Sequence, residues 1–175
     1  MAGLPGIFTS FDHGQDDYWA IRFVDLFHEI FDIHSTRSIA AVAEDGPTYI
    51  RELIDQGYVA DGTVVVVLLG THTYARSRVD WEISAGLEPK RSRASGVLGL
   101  RLPVHPDFGK AAVKVPQRIP KRLEENIRSG YSALYDWTES PQKLQGWVSD
   151  ALRSASRNGH LAVNSAEPLK RDILR

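Results

Sequence analysis

The chain has no cysteine among its 175 residues, which excludes disulfides, thiolate catalysis and zinc–thiolate sites together. It has no apolar run of the roughly 18 to 20 residues needed to span a bilayer. Its first residues, MAGLPGIFTSF, carry neither a basic segment nor a long apolar one, so no secretory signal is expected. Charge of either sign is not in excess: the formal net charge is -1, and no general attraction to nucleic acid or an anionic membrane follows. Neither GxGxxG nor GxxxxGK[ST] occurs, which argues against Rossmann and P-loop nucleotide binding. The six histidines (13, 28, 34, 72, 105, 160) show no HxH or HExxH spacing, so no metal site is expected. What remains is an ordinary globular composition, 42% apolar and 25% charged, in a length suited to one domain. The expected location is the cytoplasm.

The strongest organised stretch runs from Thr63 to Leu87. Val64 to Leu69 is a continuous aliphatic run, read as a central strand buried on both faces. Gly70 then opens a polar loop, Thr71-His72-Thr73, and Val79, Ile83 and Leu87 recur at helical spacing. Strand, loop and helix make half of a βαβ unit, and ligands in open α/β sheets bind where strands end.

The other elements follow from the same patterns. Ile7 to Phe11 alternates as a first strand, and the acidic loop from Asp12 to Asp17 is placed to cap the next helix. That helix is expected over Tyr18 to Asp32, with Trp19, Phe23, Leu26, Phe27 and Ile30 as its apolar stripe. A second strand is read at about Ser38 to Ala43, and Glu44-Asp45-Gly46-Pro47 starts a second helix through Ile50, Leu53 and Ile54. Gly96 to Leu102 is a fourth strand, followed by a long proline-rich loop to about Pro120. A short helix over Lys121 to Ser129, a fifth strand over Tyr131 to Trp137 and a helix from Pro141 to Gly159 complete the pattern. The alternation predicts an α/β three-layer sandwich, flavodoxin-like, with a five-stranded, mainly parallel sheet of order 2-1-3-4-5. Residues 1–159 form the expected domain and 160–175 a loosely held C-terminal tail, although Leu161, Val163, Ile173 and Leu174 could dock on the body.

Such a fold hosts many functions, so its loops must discriminate. The three aspartates after the first strand repel a flavin phosphate, and the third strand ends without the acid that a phosphoacceptor domain needs. Two loops should meet at the edge of strands one and three. One brings Phe11 and Asp12; the other brings Thr71, His72 and Thr73, with Trp81 and Glu82 on the helix behind. Glu82 flanks the apolar stripe, so partial burial is expected, and a partly buried carboxylate serves as a base or faces a developing cation. The residues alone leave a second reading open, an i, i+4 salt bridge from Glu82 to Arg78 or a pair with Arg76. Trp81 as packing and Asp16 or Asp17 as helix caps stay open likewise.

The segments IFTSFDHGQDD and LLGTHTYARSRVDWEI carry a likeness. They resemble the TIR-like ThsB proteins of bacterial Thoeris anti-phage systems, with Gly70, Thr73, Arg76, Val79, Asp80, Trp81, Glu82 and Ile83 on the family's central pattern. Arg78 departs from it, standing where a tryptophan is usual. The resemblance covers roughly residues 6 to 103 and implies a TIR-like fold that consumes NAD as substrate, with no cofactor. It implies Glu82 as the catalytic residue, cleavage of the nicotinamide–ribose bond, and a cyclic ADP-ribose isomer or related signal that activates an effector protein. By position, Phe11 would stack on nicotinamide, while Asp12 and the threonine loop would orient the ribose. Homo-oligomerisation is a further expectation. The competing class is a TIR-type interaction module without turnover, or a nucleotide sensor that binds NAD or ADP-ribose and leaves it intact.

Overall fold

Val64–Leu69, here β3, is buried at every residue, and its alternation decides the architecture. In a computed structural model that describes residues 3–36, 45–60, 62–89, 94–110 and 118–173, Val65, Val67 and Leu69 point to one side of the sheet. Val64, Val66 and Leu68 point to the other. A strand apolar on both faces is stable only between two layers, and helices supply them. On the first side lie Tyr49 and Leu53 of α2 (Gly46–Asp55), Val79, Ile83 and Leu87 of α3 (Ser77–Leu87), and Leu123 of α4 (Lys121–Ser129). On the second lie Phe23 and Phe27 of α1 (Asp17–Phe27), and Leu144 and Val148 of α5 (Pro141–Arg157).

The five strands are β1 (Gly6–Ser10), β2 (Asp32–His34), β3, β4 (Gly96–Arg101) and β5 (Ala133–Asp136). They pair in the order β2-β1-β3-β4-β5, all parallel. This is the expected sheet. Ser10 lies opposite Val67 on β3, so both strands deliver their last residues to the same edge. α3 packs close against the sheet at Gly86, where an added Cβ would stand 2.7 Å from Val65 Cγ2.

Two helix starts behave as their sequences require. Asp45 accepts a hydrogen bond from the Thr48 N–H at 3.0 Å, and Ser140 accepts from the Lys143 N–H at 3.3 Å, each with proline in the first turn. Three expectations need correction. The first helix ends at Phe27, not Asp32, and Asp32 already belongs to β2. The reason is tertiary: Asp32 pairs with Gly6, and its N–H donates to Pro5 O at 2.9 Å, so the β1 edge takes a segment with no strand pattern of its own. The strand read at Ser38 to Ala43 lies outside the described residues. Asp16 stands at the N-cap of α1 but its side chain makes no capping bond there, because it turns toward Gly70 and Thr73.

The third correction concerns the C-terminal segment, which is not loosely held. It crosses α4 and α3 with repeated hydrogen bonds. Asn126 of α4 exchanges two bonds of 2.8 Å with the Val163 backbone, and Arg122 donates to Asn164 Oδ1 and Ala166 O. Leu169 bonds to α3 at both ends, its N–H to Asp80 Oδ2 at 2.9 Å and its carbonyl to Trp81 Nε1 at 2.7 Å. No helix among the described residues is long and apolar enough to cross a membrane.

Candidate active site

Four elements converge on one carboxyl group. Glu82 sits on the second turn of α3 and is 1% exposed. Its Oε2 accepts a hydrogen bond from Ser10 Oγ, at the end of β1. Its Oε1 accepts from Tyr49 OH of α2 at 2.9 Å and from Thr36 Oγ1, just after β2, at 3.2 Å. The expected partial burial is therefore complete burial, because the flank of the α3 stripe faces β1 and α2, not solvent. The salt-bridge reading does not hold either. Among the described residues no ion pair to Glu82 forms. Arg76 lies 3.0 Å from Asp12 and 3.0 Å from Asp172, while the exposed Arg78 holds its guanidinium 5.8 Å from the centre of the Tyr49 ring.

Burial pushes the Glu82 carboxyl up to about 7, and the hydroxyls of Ser10, Tyr49 and Thr36 pull against that rise. Arg78 pulls the same way from a distance. The group is thus poised between its two protonation states near neutral pH. Tyr49 stays a donor throughout, since its own burial and then the charge of Glu82 raise its phenol far above the usual range.

Next to this carboxyl is a cleft of about 600 Å³. The loop after β1 contributes Phe11, Asp12 and His13, with the Phe11 and His13 rings stacked 4.2 Å apart. The start of α3 contributes Arg76, Ser77, Arg78 and Trp81. Lys170, Arg171 and Asp172 of the C-terminal segment close the third side. Glu82 itself is buried and does not line the cleft; its chain neighbour Trp81 does. Trp81 is held on both sides, by its hydrogen bond to Leu169 O and by Gly46, where a Cβ would stand 2.6 Å from Nε1.

Of the residues singled out from sequence, the structure brings Phe11, Asp12 and Trp81 to the cleft and buries Glu82, which bonds to Ser10 beside Phe11. The loop Thr71-His72-Thr73 is not part of its lining. Thr73 is fully buried, accepting from the Gly70 N–H at 2.8 Å, with its hydroxyl 3.3 Å from Leu68 O and 3.5 Å from Asp16. Thr71 donates to Val104 O at 3.3 Å, and the His72 carbonyl accepts from the Ala75 N–H in the short turn before α3. These three shape the loop. Asp16 fills the space left by Gly70, where a Cβ would come within 2.1 Å of its Oδ2. Burial first, then the charge of Asp12, raises Asp16 to about 6.

Sequence reasoning missed Ser10, Thr36 and Tyr49, and all of the C-terminal contribution. Ser10 had a signal, since it ends the alternating strand beside Phe11. Thr36 had none, lying in a stretch without apolar period.

Neither curated proteins nor solved structures supply a match. The family model described as Thoeris protein ThsB, TIR-like domain, matches residues 8–107, from β1 through β4 and with Glu82 inside the match. With more than half of its 175 residues covered, the chain belongs to the TIR-like domain family of the Thoeris protein ThsB.

Proposed function

We propose that the protein is an NAD-consuming enzyme of anti-phage defence that breaks the nicotinamide–ribose bond, with Glu82 as its catalytic residue. One observation carries this reading: a buried carboxyl clasped by three hydroxyls, with no ion pair among the described residues, stands beside a cleft lined by aromatic rings and polar groups. Membership of a family with NAD-cleaving members supports it.

The chemistry follows from the bond. Leaving of neutral nicotinamide places positive charge on the ribose anomeric carbon, and a carboxylate held nearby stabilises that oxocarbenium-like centre or binds the ribose hydroxyls. The hydroxyls of Ser10, Tyr49 and Thr36 fix the carboxylate before the reaction, so little reorganisation accompanies charge development. The stacked Phe11–His13 pair forms the aromatic wall of the cleft, with Phe11 itself only 2% exposed, and Asp12 offers an acceptor for a ribose hydroxyl. Capture of the ribosyl centre by the adenine of the same molecule gives a cyclic ADP-ribose isomer. That signal would activate an effector protein, and capture by water would end the reaction as hydrolysis.

A nucleotide sensor is the second reading, and the burial of Glu82 outside the cleft lining is the observation that favours it. The two separate on turnover. Purified protein, or lysate of phage-infected cells expressing it, is given NAD, and nicotinamide and ADP-ribosyl products are followed by mass spectrometry. Wild type is expected to release nicotinamide, and Glu82→Gln to lose about 100- to 1,000-fold of that rate. A folded Glu82→Gln protein cleaving at the wild-type rate would end the proposal.

A further inference from the structure

The C-terminal segment places a carboxylate where the start of α3 would hold an anion. Asp172 Oδ1 accepts from the Ser77 N–H at 2.8 Å and from Ser77 Oγ at 3.0 Å, and Asp172 Oδ2 accepts from Arg76 Nη1 at 3.0 Å. A backbone N–H at the positive end of an eleven-residue helix, a hydroxyl and a guanidinium are the donor set that binds phosphate oxygens. Here the chain itself supplies the anion.

A separate feature of the same cleft points to a ligand. Asp12 is 3% exposed and lines the cleft, yet its Oδ2 has no hydrogen-bond partner. Facing it, Arg76 Nε lies 3.0 Å from the other oxygen, Asp12 Oδ1, in an ion pair. A buried acceptor left without a hydrogen bond is costly unless something else engages it, and a sugar hydroxyl suits Asp12 Oδ2.

We propose that Arg76, Ser77 and the α3 N-terminus form the subsite for the diphosphate of a nucleotide substrate, and that Asp172 is a built-in occupant which the diphosphate displaces. The inference rests on the nucleotide-consuming reading above. The acids after β1 do not oppose it, since Asp12 is already matched by Arg76 and the phosphates sit on the far side of that guanidinium, where Asp172 now is. Lys170 and Arg171 flank the same position and add to its positive field. Displacement requires only that the Asp172 side chain turn away; the Leu169 contacts to Asp80 and Trp81 can stay.

The test is equilibrium binding of ADP to the full chain by calorimetry, with adenosine as the uncharged control. Asp172→Ala is expected to bind ADP about tenfold tighter than wild type, with adenosine unchanged, because the internal competitor is gone. Adding Arg76→Ala to that variant is expected to abolish the gain. Asp172→Asn keeps an acceptor for Ser77 without the charge, so it reports even if Asp172→Ala fails to fold, and it should also tighten ADP binding. Unchanged or weaker ADP binding by a folded Asp172 variant overturns the subsite. Binding is independent of turnover, so the two readings fail separately. Tighter ADP binding without nicotinamide release leaves the subsite and removes the enzyme. Nicotinamide release with ADP binding indifferent to Asp172 does the reverse.

Discussion

Glu82 is subject to two opposed influences, and the larger is burial. Its carboxyl titrates near 7 in the folded chain and near the ordinary 4.5 when unfolded. Between those values the folded state holds a proton that the unfolded state has released, so stability falls as pH rises through that window. The loss attached to this one group is on the order of 3 kcal/mol above pH 7. Glu82→Gln is therefore expected to raise the melting temperature by several degrees at pH 8 and to change it little at pH 4, as thermal unfolding at both values would register. Asp16, raised to about 6, contributes in the same direction, so part of the pH dependence should survive the substitution. Tyr49→Phe removes a hydroxyl that favours the ionised carboxylate. It should cost about 1 to 2 kcal/mol of stability and move the acid limb of the pH–rate profile to higher pH. An unmoved limb would show that Tyr49 does not tune Glu82.

At the scale of elements, α3 positions the site because it is pressed between sheet, α2, α4 and the C-terminal segment. Its buried surface extends well beyond the Val79–Ile83–Leu87 stripe, to Asp80, Trp81, Glu82 and Ser84. Gly86 is the contact that lets it approach β3, with Val65 at 2.7 Å and Val97 at 3.3 Å from an added Cβ. Gly86→Ala, although it improves helix propensity, is expected to cost about 1 to 3 kcal/mol by overpacking. Urea denaturation would read this as a lower midpoint with unchanged slope. A rise in midpoint would mean that α3 can lift from the sheet without penalty. Legibility also divides at this scale. β3 and α5 were readable because buried elements carry period and caps in their own residues. β2 was not, because Asp32–His34 is a strand only through the backbone of β1.

For the whole molecule, residues 163–169 are joined to the body through a buried ion pair. Arg122 and Asp80 are both nearly inaccessible and lie 2.8 Å apart, and between them they also bind Asn164, Ala166, Glu167 and Leu169. Removing one member of such a pair leaves a buried charge. Arg122→Met is expected to destabilise the protein by about 3 to 5 kcal/mol. It should also speed hydrogen exchange at the Val163 and Leu169 amides before that of β3. Exchange that remained as slow as in wild type would show that other contacts hold the segment.

The sequence by itself determined the parallel α/β class, the central strand with its two-sided core, and the contiguous motif that contains Glu82. Each of these depends on local period, caps or a contiguous motif, which a single segment contains. Only the tertiary structure decided the surroundings of that acid. Ser10, Thr36 and Tyr49 come from three separate elements, and Arg122 and Asp80 are 42 positions apart, so no local pattern announces that they meet. The docking of Asp172 on Ser77 is of the same kind, a bond across 95 positions made by a polar segment with no apolar period. Hydrophobic periodicity reports which face is buried; it does not report which polar groups the burial brings together.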